Sequence, residues 1–70
     1  MWISLNGERR ALEPGRGVTL PAVLALLDIA PDARGVAVAV DGAVVPRARW
    51  ALTELADGAR VEVLTAAQGG

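Results

Sequence analysis

The side chains of this chain that could do chemistry are few. In 70 residues there is no Cys, His, Lys, Tyr or Phe. Without Cys there is no disulfide framework, thiolate nucleophile or zinc-finger site. Without His there is no imidazole base and no imidazole metal ligand. Without Lys there is no Schiff base. The hydroxyls are Ser4, Thr19, Thr53 and Thr65, and no base stands ready to activate them. Asp41 and Asp57 each precede a Gly, where Asp is expected for backbone reasons. Gly15 and Gly17 before a helix lack the full phosphate-loop spacing and its Lys. No metal site is expected, and self-contained catalysis is a poor fit.

One reactive group remains, the terminal carboxylate of Gly70, which is ionised at neutral pH. A carboxylate is a poor acyl donor until one oxygen becomes part of a leaving group. ATP can achieve that by forming an acyl-adenylate, with the tail inserted into another enzyme. Gly69 and Gly70 suit such an insertion, because without Cβ they fit a narrow channel and adopt whatever φ/ψ it imposes. Ala67 and Gln68 would enter with them. The competing reading is an unselected, frayed terminus.

A body must present that tail. Seventy residues make one domain, with marginal stability at this size. No covalent staple is available, so regular structure around one aliphatic core is required. Apolar residues make up 53% of the chain, too many for a disordered one. Trp2–Leu5 alternates, Asn6-Gly7 is a hairpin signal, and 8–13 reads as a polar return strand. Thr19 reads as a helix N-cap with Pro21 in the first turn. Leu20, Val23, Leu24 and Leu27 keep helical spacing, and the helix should end near Asp28 or Ile29. Val36–Val40 alternates bulky with small residues. Asp41-Gly42 turns the chain into Ala43–Val45, which Pro46 stops. Residues 47–56 suggest a short helical turn, Asp57-Gly58 a third turn, and Arg60–Leu64 a last strand. The expected organisation is a body over 1–64 and a C-terminal tail over 65–70. Two hairpins flank one crossover helix, and the last strand can pair centrally with the first. That is an α+β architecture of the ubiquitin-like β-grasp kind, a mixed sheet packed on one main helix plus a short helical turn.

If Ile3, Leu5, Val36, Val38, Val61 and Val63 face the helix, then Trp2, Ala37, Ala39 and Leu64 share the opposite face. That is a candidate docking patch rimmed by Ser4 and Glu62. The alternative is that Trp2 merely covers the sheet surface. Trp50 is expected to be a core lid over the helix end. Arg47 and Arg49 are expected to be solvated surface rather than a partner contact. The formal net charge of −1 argues against nucleic acid as a partner. The longest apolar run, Ala22 to Leu27, is too short to span a membrane. No basic segment precedes a hydrophobic stretch near Met1, so the expected compartment is the cytoplasm.

The run from Val40 through Asp41-Gly42, Val44-Val45 and Pro46-Arg47 to Trp50 resembles the central segment of the ThiS family, sulfur carriers of thiamine biosynthesis. The similarity continues through Leu55–Val63 and the end Gln68-Gly69-Gly70. It also covers Ile3–Gly7 and Gly17–Leu20. The resemblance implies that Gly70 is adenylated by a ThiF-type enzyme using ATP and magnesium. A persulfide from a cysteine desulfurase or sulfurtransferase system would then convert it to a thiocarboxylate. Thiazole synthase, ThiG, would take the sulfur. It implies a carrier rather than an enzyme, with no cofactor of its own, that meets its partners through the sheet face and tail. One departure is that relatives often carry Glu in the first helical turn. Here that turn is Leu20-Pro21-Ala22 and the capping box is missing.

Other readings of the same residues stay open. The sulfur acceptor could be molybdopterin, cysteine or a tRNA base. The chain could be a protein modifier that joins Gly70 to lysines, or a plain binding domain with an irrelevant tail.

Overall fold

The computed structural model describes residues 1–13 and 17–66. Along the chain run β1 (Trp2–Leu5), β2 (Glu8–Ala11), α1 (Leu20–Leu26), β3 (Val36–Val40), β4 (Ala43–Val45), a 3-10 helix (Arg47–Leu52) and β5 (Arg60–Thr65). The strands form one sheet in the order β2-β1-β5-β3-β4. β1 and β5 are parallel, and the other pairs are antiparallel. The last strand therefore sits at the centre, between the two hairpins, as the element order suggests. This is the α+β mixed sheet of the β-grasp kind.

Alternation along the strands divides the sheet into two faces. Ile3, Leu5, Val38, Val61 and Val63 are buried with Leu20, Val23 and Leu24 of α1. Trp50, Leu55 and Ala59 complete this core. Trp50 closes it as expected, only 3% exposed, and its indole N–H donates to the Val45 carbonyl at 2.9 Å. Among the described residues, no helix is long and apolar enough to cross a membrane.

The two hairpin turns carry positive φ at both central residues, Asn6 (52°) with Gly7 (83°) and Asp41 (50°) with Gly42 (88°). That is the twist-matched geometry that Asn-Gly and Asp-Gly favour. Each polar turn side chain also completes the sheet. Asn6 Oδ1 accepts from the Val63 N–H at 2.7 Å, just where β1 has ended beside β5. Asp41 Oδ1 accepts from the Arg60 N–H at 2.9 Å, and Asp57 Oδ1 from the Trp2 N–H at 2.6 Å. The backbone reading of these Asp residues thus extends to their carboxylates.

Details of the element ends differ from expectation. First, α1 stops at Leu26, before the expected Asp28 or Ile29. Asp28 flips to φ 57°, its N–H bonds the Ala25 carbonyl at 3.1 Å, and the Ile29 N–H bonds the Leu24 carbonyl at 3.0 Å. This is a Schellman stop with Asp in the position usually held by Gly. Second, Thr19 stands at the N-cap but its hydroxyl caps nothing. A cap side chain accepts from the second or third helical N–H. Here the second residue is Pro21, which has none, and the third, Ala22, bonds the Thr19 carbonyl at 3.1 Å. Third, the return strand ends at Ala11 rather than Glu13, and β5 runs one residue past Leu64 to Thr65.

Candidate functional site

The candidate site is built on β5. Arg60, Glu62 and Leu64 alternate outward from the buried Val61 and Val63. Ladder pairing sets Ala37 beside Leu64 and Ala39 beside Glu62, and on the other side Val44 beside Ala39. Leu64 is 70% exposed and Val44 75%. Together Leu64, Ala37, Ala39 and Val44 line a shallow apolar groove with Asn6 and Glu62 at its margin. Val44 belongs to this patch and sequence reasoning missed it. Its signal was available, since alternation across the Asp41-Gly42 hairpin puts it on the face of Ala39.

Trp2 shares that face and is 46% exposed, but it stands elsewhere on it. Ser4 pairs with Arg60, so Trp2 lies level with Gly58, whose N–H bonds the Trp2 carbonyl at 2.5 Å. Going from Gly58 to Leu64 at about 3.3 Å per residue separates the two side chains by about 20 Å. The expected single patch is therefore two areas. One is apolar and adjoins the end of β5. The other is Trp2 beneath the Arg9 guanidinium, 4.5 Å from its ring centroid, bordered by Ser4, Asp57 and Gly58. Register across three strands decides this, and face alternation alone does not carry it.

β5 runs out beside the apolar area. Beyond Thr65, which pairs with Val36, the Ala66 N–H donates to the Gly35 carbonyl at 2.6 Å. Ala67, Gln68, Gly69 and Gly70 lie outside the described residues.

Arg47 departs from the expected solvated surface role. Its guanidinium stacks on Trp50, 4.4 Å from the ring centroid. Nη1 donates to the Pro31 carbonyl at 2.5 Å and Nη2 to the Ala33 carbonyl. The planar fork is exposed, yet both of its terminal nitrogens are bonded, so it ties the segment after α1 to the 3-10 helix. Among the described residues the ion pair found is Arg10 with Glu8 at 3.8 Å. In the same residues no three acidic side chains gather as a cation site would need.

The ThiS family model matches residues 3–70. The crystal structure of the thiamine biosynthesis protein (ThiS) from Geobacter metallireducens is similar at 28% identity and a TM-score of 0.79, covering 100% of both chains. The solution structure of a thiamine biosynthesis protein from the same organism gives 28% identity and a TM-score of 0.78, over 100% of this chain and 88% of that one. No curated protein matches the chain. A match over nearly the whole length, joined to a full-length structural likeness with the same mixed sheet, places this chain in the ThiS family, the small sulfur carriers of thiamine biosynthesis.

Proposed function

We propose that the chain carries sulfur on Gly70 as a thiocarboxylate for building the thiazole ring of thiamine. A Gly70 carboxylate oxygen attacks the α-phosphorus of ATP in a ThiF-type enzyme, with magnesium, and pyrophosphate leaves. The terminal sulfur of a persulfide, supplied by a cysteine desulfurase or sulfurtransferase system, then attacks the acyl carbon and AMP leaves. A second thiol cleaves the resulting acyl disulfide, forming its own disulfide and releasing the thiocarboxylate. Thiazole synthase of the ThiG type accepts the sulfur. The chain is a co-substrate in each step and supplies no catalytic side chain.

The observation that best supports this reading is the course of β5. It is the central strand, it ends at Thr65 one residue before the last described residue, Ala66, and it does so beside the apolar area of Leu64, Ala37, Ala39 and Val44. Four further residues reach no more than about 14 Å. An enzyme that accepts Gly70 must therefore come close to that face, and an exposed apolar face beside the tail gives it something to hold. Incubation with the adenylating enzyme, ATP, magnesium and the sulfur source should raise the intact mass by the difference between sulfur and oxygen, localised to Gly70. The variant lacking Gly69 and Gly70 should show no gain. A wild-type chain that gains no mass, or that forms covalent conjugates to lysines instead, would overturn the reading.

A further inference from the structure

We infer that Arg47 and Gly35 are positioning residues for the reactive tail, forming a clamp from Trp50 to Ala66 that fixes where the tail leaves the sheet. The inference rests on the carrier reading above, because the tail needs aiming only if Gly70 reacts.

The clamp starts in the core. Trp50 is buried and held by its bond to the Val45 carbonyl at 2.9 Å. Arg47 lies on its ring and grips Pro31 and Ala33 through both arms of the guanidinium. These carbonyls belong to the segment between α1 and β3, which has no strand or helix of its own. Two residues on, Gly35 adopts φ +71° and accepts the Ala66 N–H at 2.6 Å. This bond lies one step beyond the last ladder pair, Val36 with Thr65. The approach is close: a Cβ on Gly35 would stand 3.2 Å from the Ala66 Cβ. A left-handed φ and a near contact with the tail's root both call for Gly at this position.

Immobilising an exposed Arg costs side-chain entropy. The stacking and the two charge-assisted bonds offset that cost. What the fork gains in return is a fixed segment 31–35, and the described end of that segment is the Gly35–Ala66 bond. Loosening it frees the Ala66 N–H and lets the root of the tail swing. The terminal carboxylate would then be in line for attack in a smaller share of docked complexes.

The test uses full-length Arg47→Ala, Arg47→Lys and Gly35→Ala. Arg47→Lys keeps the charge and a stem that can lie over Trp50 but loses the fork, so it guards against an Arg47→Ala that does not fold. Hydrogen exchange at the Ala66 amide should quicken at least tenfold in the variants. In ATP–pyrophosphate exchange with the adenylating enzyme, kcat should fall about three- to tenfold while KM stays within about twofold. Arg47→Lys should fall between wild type and Arg47→Ala. Unchanged kcat in folded variants overturns the inference and leaves the carrier reading intact. So does a raised KM with unchanged kcat, which would make Arg47 a partner contact. Absence of exchange with the wild-type chain defeats the carrier reading, and this inference with it.

Discussion

Trp50 and Arg47 share a short segment and divide its labour. Trp50 is buried in the core, and Arg47 stacks on its ring while holding the segment after α1. A domain of this length has a total stability of about 4–10 kcal/mol. Truncating a buried Trp costs about 3–5 kcal/mol. Trp50→Ala should therefore remove about a third or more of that stability, read as a much lower urea midpoint at 25 °C. Trp50→Phe keeps most of the apolar volume and loses the indole N–H that reaches Val45. It should cost about 1–3 kcal/mol and still unfold cooperatively. The burial of Trp50 was readable from its size and setting. The employment of Arg47 was not, because its partners are backbone carbonyls of Pro31 and Ala33, which carry no sequence signal. The same limit applies to Asn6, Asp41 and Asp57. Their turns were legible from the following Gly, but the strand N–H groups they satisfy depend on tertiary pairing.

At the scale of elements, local chemistry located every strand and the helix, and it erred at the ends. Face alternation identified the buried residues of β1, β3 and β5, since each strand's period of two follows from the backbone. Helix α1 is short, lacks a side-chain cap at Thr19, and has no acidic residue in its first turn. Its stop after Leu26 depends on a left-handed Asp28 that sequence spacing does not announce. Its N-terminus is held instead by a neighbouring segment: Thr19 bridges to Glu54, and the Leu55 N–H donates to the Val18 carbonyl at 2.9 Å. Packing therefore holds this helix more than its own propensity does. Asp28→Gly removes a Cβ from a φ of 57° at the position where Gly is favoured. Relief of left-handed strain should outweigh the greater entropy of Gly in the unfolded chain. The expected gain is about 0.5–1 kcal/mol, read as a higher urea midpoint with an unchanged slope. A lower midpoint would show that the Asp28 side chain contributes something its backbone conformation does not reveal.

On the whole molecule, the open sheet face has a direction. The apolar area adjoins Ala66 and the Trp2–Arg9 area lies about 20 Å away, at the start of β5. Pairing register decides this, through Ser4 beside Arg60 and Ala37 beside Leu64. Residue order alone places all four outward positions on one face without saying how far apart they are. The difference has an energetic consequence for any enzyme that takes the tail. A standard interface covers about 800 Å² per partner, wide enough to include both areas, but its binding energy concentrates in a few well-packed central anchors. If, as proposed, the tail enters an active site, that site lies within about 14 Å of Ala66, which would centre the contact on Leu64, Val44, Ala37 and Ala39. Trp2 falls at the rim, already partly covered by Arg9. Leu64→Asp should then weaken binding to the adenylating enzyme by at least about tenfold in calorimetry. Trp2→Asp should weaken it by no more than about threefold. Leu64 is 70% exposed, so Leu64→Asp should change the unfolding free energy by no more than about 0.5 kcal/mol, while Trp2→Asp also loses the Arg9 contact and should cost about 0.5–1 kcal/mol more. The reverse order, with Trp2→Asp the more damaging, would move the centre of docking to the far end of the face. A partner centred there would leave the apolar groove beside the tail unexplained, which is why the two variants must be compared against the same enzyme.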